Sequence, residues 1–156
     1  MILTRTPFRV SFAGGGTDLP IFYKKNKFGK VISSTIKKYL YVMVKKQAPF
    51  VEYKYRINWS KTEFVNSIDK IQNPIAREAL KYFKIDFPLE ITTTSEIPAQ
   101  TGLGSSSAFV VGLVNALYAI KGIKASKKMI AKTAAHIEIN MLKRFIGKQD
   151  HYACAY

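Results

Sequence analysis

The sequence predicts an α+β fold. Alternating, β-branched and aromatic segments crowd the first part of the chain, and long apolar or amphipathic segments of helical length dominate the rest. No regular βαβ alternation joins the two kinds, which excludes a doubly wound sheet. A chain of 156 residues suits one domain. With 47% hydrophobic and 22% charged residues, its composition is globular and not disordered.

Residues 2–12 alternate loosely and read as a strand, broken at Pro7 and resumed over 9–12. Gly14, Gly15, Gly16, Thr17 and Asp18 then form a loop whose glycines permit positive φ or close backbone approach. Residues 31–46 are β-branched and aromatic and predict two strands or one long bent one. Residues 53–59 alternate as a further strand. Residues 74–84 open with Pro74 at a first helical position and space Ile75, Ala79, Leu80 and Phe83 as a helix. Residues 89–95 alternate again and end before Pro98. Residues 105–120 predict a buried helix with serines at its start and Gly122 at its end. Ser126 is an N-cap for a second helix, running to Phe145 and stopped by Gly147. The last residues, 151–156, are apolar and read as an element cut short.

Charge and cysteine content narrow the function classes. There are 25 basic residues against 10 acidic ones, a net charge of +15. A phosphate-rich partner is the direct inference, and nucleic acid, an anionic membrane or a phosphorylated small molecule would each qualify. A surface that simply defaults to lysine is the plainer alternative. The single cysteine, Cys154, excludes an internal disulfide framework and reads as a small core residue in a reducing compartment. No charge-free apolar run reaches the ~18 residues of a membrane span. The N-terminal segment carries Arg5 and Arg9 and lacks a signal-peptide pattern, so a cytoplasmic protein is expected.

The strongest chemical signal is the stretch 98–107, Pro-Ala-Gln-Thr-Gly-Leu-Gly-Ser-Ser-Ser, between a strand and an apolar helix. A glycine loop feeding a helix N-terminus presents free N–H groups and the positive end of the dipole, which suits phosphate. Its hydroxyls can serve phosphate oxygens or magnesium. The Walker ending is absent, and the glycine spacing of the dinucleotide fingerprint fails. The second signal is scarcity: from Ile97 onward the only acids are Glu138 and Asp150, among eight bases. Magnesium needs one or two carboxylates, and phosphoryl transfer can use one to orient or deprotonate a hydroxyl. Asp18, just after the glycine turn, suits sugar hydroxyls or an Asx turn. His136 and His151 lack neighbours at metal-ligand spacing.

Together these segments resemble the GHMP kinase superfamily of galactokinases, homoserine kinases, mevalonate kinases and phosphomevalonate kinases. Residues 98–107 are similar to its phosphate motif, P-x-x-x-G-L-G-S-S. Thr6, Pro7, Phe8, Arg9 and Val10, with Gly14, Thr17 and Asp18, are similar to its N-terminal sugar motif. Glu138, twelve residues before Asp150, matches the spacing of its magnesium-binding glutamate and catalytic aspartate. The glycine turn and the Gly-Lys-Gln-Asp stretch are most like the branch that phosphorylates D-glycero-D-manno-heptose 7-phosphate at the anomeric carbon, for surface polysaccharide biosynthesis. Galactokinases carry Glu-His where Gly15 and Gly16 stand, so a larger or phosphorylated sugar is implied in place of galactose. His151 stands where the heptose branch commonly has Gln.

The resemblance implies a ribosomal protein S5 domain 2-like fold, a mixed sheet with helices on one side. It also implies ATP and Mg²⁺ as cofactors. Pro98, Gly102, Leu103, Gly104, Ser105, Ser106 and Ser107 would bind the nucleotide phosphates. Ser106, with Ser105 as second choice, and Glu138 would hold the metal. Asp150 would be the base or orienting group, with Arg9 keeping it ionised. Arg9, Gly15, Gly16, Thr17, Asp18 and His151 would contact the sugar phosphate. The chain corresponds to the N-terminal half of such a kinase, and is expected to be a truncated ATP-binding domain, 1–156, inactive alone. No nucleic-acid or membrane partner is implied, and a homo-oligomer is left open. The alternative is an RNA-binding domain with a basic surface and stacking residues among Tyr39, Tyr41, Tyr53, Tyr55 and Trp59.

Overall fold

The computed structural model describes residues 1–48 and 50–156. Five strands form one mixed sheet in the order β1-β2-β5-β3-β4. They are β1 (Ile2–Ala13), β2 (Ile32–Lys46), β3 (Tyr55–Asn58), β4 (Thr62–Val65) and β5 (Leu89–Ser95). β1 pairs antiparallel with β2, β2 with β5, and β3 with β4, whereas β3 and β5 run parallel.

β1 is continuous through Pro7, which an edge strand tolerates because its N–H side needs no partner. The irregularity comes one residue later: Pro7 pairs with Tyr39 but Arg9 pairs with Thr35. This bulge breaks the strict alternation, so Phe8 and Arg9 are both buried. β2 is one long strand whose Leu40, Val42 and Val44 enter the core. They meet Ile57 of β3 and Leu89 and Ile91 of β5 on the same covered face. On the other face Glu90 sits between its cross-strand partners Lys45 and Arg56, 2.9 and 3.4 Å away.

The helices are α1 (Pro20–Asn26), α2 (Pro74–Tyr82), α3 (Ser105–Ile120), α4 (Lys127–Ala135) and α5 (Gln149–Ala155). Asn73 caps α2 by accepting from Ala76 N, and Ser126 caps α4 by accepting from Met129 N. α3 lies across β1 and β2 and is buried almost all round, as its apolar run predicts. It approaches the sheet at Gly112, where a Cβ would stand 2.8 Å from Thr6 Oγ1. Thr4 Oγ1 donates to the Gly112 carbonyl at 3.0 Å and ties strand to helix.

The second predicted helix differs from expectation. Its α-helical part ends at Ala135, and a π-helical segment, His136–Met141, replaces the rest. Leu142 N donates to Ile137 O, and the chain then leaves the helix well before Phe145. Glu138 therefore projects from a widened turn, a feature frequent at functional sites. Cys154 of α5 is buried as predicted, and burial pushes its thiol up to about 12. Among the described residues no helix is long and apolar enough to cross a membrane.

Candidate active site

The loop between β5 and α3 is built on Arg9. Arg9 N donates to Leu103 O at 3.2 Å, and Arg9 Nη1 donates to Gly102 O at 2.7 Å. Gly102 and Gly104 hold φ of +73° and +82°, which favours glycine at both. Gly104 also lies over the Arg9 side chain, where a Cβ would sit 3.3 Å from Cγ. Ser105, Ser106 and Ser107 then open α3, whose first N–H groups have no helical acceptor. Pro98 precedes the turn, and its carbonyl accepts from Thr101 Oγ1 at 3.4 Å.

Asp150, on the first turn of α5, meets the same arginine. Arg9 Nε donates to Oδ1 at 2.7 Å and Nη2 donates to Oδ2 at 2.5 Å. This two-point contact fixes the carboxylate plane. Hydrogen bonding to Asp150 raises the Arg9 pKa further and outweighs the cost of burying the guanidinium. One arginine thus ties the glycine loop to Asp150.

Glu138 is fully buried. Its Oε1 accepts from Ser106 Oγ at 2.6 Å and from Arg144 Nη1, and its Oε2 accepts from His151 Nε2 at 2.8 Å. Burial by itself would raise the Glu138 pKa. Hydrogen bonds from His151 and Ser106, and the positive fields of His151 and Arg144, prevail and hold it below its ordinary 4.5. Ser107 Oγ reaches Oε2 at 3.5 Å. Ser105 Oγ is buried with no hydrogen-bond partner among the described residues, and Ser105 lines the cleft.

A hard oxygen pair, Ser106 Oγ and the Glu138 carboxylate, with a cationic group already against both atoms, suits a divalent cation such as Mg²⁺. Among the described residues no cluster of three or more His, Cys, Asp or Glu side chains forms a metal cage. Magnesium fits such a site, because it keeps waters and substrate phosphates as its remaining ligands.

The glycine turn after β1 is drawn in through Asp18. Its Oδ1 accepts from Gly16 N at 3.2 Å and its Oδ2 from Gln149 N at 2.8 Å. Gly147 is required here, since a Cβ would stand 1.9 Å from Asp18 Oδ2. Thr17 turns inward, its Oγ1 donating to Gly14 O and Lys30 O. Gly15 lies near Gln149.

One cleft of about 1150 Å³ is lined by Arg9, Gly16, Asp18, Ser105, Ser106, Ser107, Glu138 and Asp150, and by apolar Leu40, Trp59, Ile75 and Phe109; Gly15 and Thr17, expected on the sugar, and Pro98 and Leu103, expected on the nucleotide, do not line it. His151 is a correction. It was expected to contact the sugar, but it is fully buried behind Glu138 and does not line the cleft. Its ring is held in the interior by the Glu138 carboxylate, thirteen residues away in sequence. Arg144, Gly147 and Gln149 were not singled out as site residues. Only the Gly-Lys-Gln-Asp stretch offered a signal for two of them, and none existed for Arg144.

The cleft sets a glycine-serine loop of the kind that suits phosphate beside two carboxylates, Glu138 and Asp150. The profile described as GHMP kinases N terminal domain matches residues 69–156, and the chain belongs to that family. It is 29% identical over 167 residues to the D-glycero-alpha-D-manno-heptose 7-phosphate kinase of Campylobacter jejuni, covering 99% of this chain and 48% of that protein. A mevalonate kinase of Saccharolobus solfataricus is also 29% identical, over 163 residues, with 100% and 49% covered. The crystal structure of a D-glycero-D-manno-heptose 1-phosphate kinase from Bacteroides thetaiotaomicron superposes with a TM-score of 0.85 at 23% identity, covering 100% of this chain and 54% of that one. The chain spans about half the length of the curated relatives it matches.

Proposed function

We propose that the chain is the N-terminal, ATP-binding portion of a kinase that phosphorylates a sugar phosphate at its anomeric hydroxyl. D-glycero-D-manno-heptose 7-phosphate is the proposed acceptor, giving the 1,7-bisphosphate for surface polysaccharide biosynthesis. The observation that carries the reading is the Arg9 bridge, which binds Asp150 with two N–H groups and the Gly102 carbonyl with a third. It holds a carboxylate beside the glycine-serine loop, which supports an arrangement for in-line phosphoryl transfer. The 29% identity to a heptose 7-phosphate kinase supports the choice of acceptor.

In this reading the loop from Gly102 to Ser107 receives the β- and γ-phosphates. Ser106 and Glu138 would hold Mg²⁺, which would neutralise charge on the phosphates. Asp150 accepts a hydrogen bond from the anomeric hydroxyl and aims its oxygen at the γ-phosphorus. The new O–P bond forms, the bond to the β,γ-bridging oxygen breaks, and the hydroxyl proton leaves toward Asp150. Arg9 keeps Asp150 in place and balances charge on the transferring group. Asp18 and Gly16 border the sugar, and Thr17 and Gly15 shape the turn that carries them. His151 positions Glu138.

The RNA-binding alternative gains no support from the aromatic residues that suggested it. Tyr55 is buried, Tyr53 packs edge-on against Phe64, Arg5 covers Tyr39, Tyr41 donates to Glu96, and Trp59 donates to Glu63.

The test is ADP release with heptose 7-phosphate, galactose and mevalonate as competing acceptors. Heptose 7-phosphate is expected to be preferred. We further expect the 156-residue chain alone to turn over far below the ~1–100 s⁻¹ of ordinary kinases. In a form long enough to be active, Asp150→Asn should lower kcat by ~10²–10⁴-fold and leave ATP affinity nearly unchanged. A preference for mevalonate or galactose would overturn the substrate, and an unchanged kcat would overturn the role of Asp150.

A further inference from the structure

We propose that Arg144 is a displaceable cation that keeps the metal position closed until nucleotide phosphates arrive, a proposal that rests on the reading of Ser106 and Glu138 as the metal-binding pair. Arg144 Nη1 donates to Ser106 Oγ at 2.8 Å and to Glu138 Oε1. Those are the two oxygens a divalent ion would use. A metal ion needs their lone pairs at about 2.0–2.1 Å, and the guanidinium already occupies them. Two cations cannot share that spot, so binding of one excludes the other.

The geometry lets the arginine leave. Its side chain is 36% exposed, whereas Glu138 is 0% exposed. Its backbone is pinned independently, with Arg144 N donating to Glu138 O at 3.1 Å and Arg144 O accepting from Ile146 N at 3.0 Å. Rotation about the side-chain bonds therefore frees the head group without moving the chain. Arg144 also lines the cleft with Ser105, Ser106 and Asp150. A guanidinium released there finds its best new partner in a phosphate, which matches its planar fork.

Charge sets the consequence. Glu138 and Arg144 neutralise one another, so a bare divalent ion must break that ion pair and leave the guanidinium without its partner. Nucleotide phosphates supply both ligands for the metal and a partner for Arg144. Metal and nucleotide are thereby coupled, and each strengthens the binding of the other.

The experiment measures Mn²⁺ binding by electron paramagnetic resonance, with and without ADP, in the natural protein and in Arg144→Gln, Arg144→Lys and Glu138→Gln. Without ADP, Arg144→Gln is expected to bind Mn²⁺ about 10-fold or more tightly than the natural protein, as expected when hydrogen bonds to a charged group no longer compete. The enhancement by ADP should shrink in parallel. Mn²⁺ should also raise the melting temperature of Arg144→Gln more than that of the natural protein. Arg144→Lys, whose ammonium lacks the planar fork, should fall between the two, and it serves as the test if the glutamine variant does not fold. Equal Mn²⁺ affinity in the natural protein and the foldable Arg144 variants overturns the proposal, while loss of binding in Glu138→Gln would leave the metal-site reading standing. Unchanged Mn²⁺ binding in Glu138→Gln overturns that reading itself, and this proposal with it.

Discussion

His151 Nε2 and Glu138 Oε2 lie 2.8 Å apart with both side chains at 0% exposure. His151 holds Oε2 of the carboxylate, while Ser106 and Arg144 hold Oε1. Removing one partner of a buried contact to a charged group leaves that group unsatisfied, at a cost of ~1.5–3 kcal/mol or more. His151→Ala should therefore lower stability in urea unfolding by about that much. His151→Gln, which retains an N–H donor, should recover part of it. Equal loss in both variants would mean that ring packing, and not the hydrogen bond, is what matters.

The same carboxyl makes stability pH-dependent. The folded Glu138 has a pKa below its ordinary 4.5. Its contribution is complete above the unfolded value and is lost as pH falls through the folded one. Acid titration of stability should show this loss below about 4.5, and Glu138→Gln should remove that component. A variant with the same acid profile as the natural protein would assign the loss to other carboxylates.

At Gly104 two constraints coincide, a φ of +82° and an Arg9 side chain 3.3 Å from any Cβ. Gly104→Val should strain the backbone by ~1–2 kcal/mol and push Arg9 from Gly102 and Asp150. Calorimetric titration with Mg·ATP should then show weaker binding than in the natural chain. Equal affinity would remove this loop from the nucleotide site.

Gly112 inverts the usual helix rule. In an exposed helix Gly→Ala gains ~1 kcal/mol. Here the new methyl would meet Thr6 Oγ1 at 2.8 Å and Val42 Cγ2 at 3.1 Å. Overpacking costs ~1–3 kcal/mol, so Gly112→Ala should lower the melting temperature. A rise would show that α3 can move off the sheet without loss.

What the sequence made legible follows from how local each signal is. The glycine-serine loop is contiguous, so its motif survives in one dimension. β2 is β-branched and aromatic, β5 alternates and α3 is one long apolar run, and their bounds are close to expectation. α1 has no buried residue and so no apolar period to read. β4 was missed because its inward residue is Glu63, a buried acid that accepts from Trp59 Nε1 and the backbone of Gln72 and Asn73. Glu138 was legible through its spacing to Asp150, but its neighbours were not. The π-helical turn changes which residues share a face, and the path of the loop after Leu142 brings Arg144 back to it. The bulge that aims Arg9 depends on the register between two strands, which no local pattern encodes.

Arg9 and Asp150 are separated by 141 residues of sequence, and Asp18 and Gln149 by 131. Contacts this distant are the slowest to form, because the chain entropy lost in closing them precedes any reward. The cleft therefore carries the largest closure cost among these contacts. The sheet can assemble and bury α3 while β1 and α5 are still apart. Transient release of α5 would disconnect the phosphate loop from Asp150 and leave the central strands paired. On the proposed reading, nucleotide affinity would report on something beyond recognition: it would measure whether β1 and α5 have met.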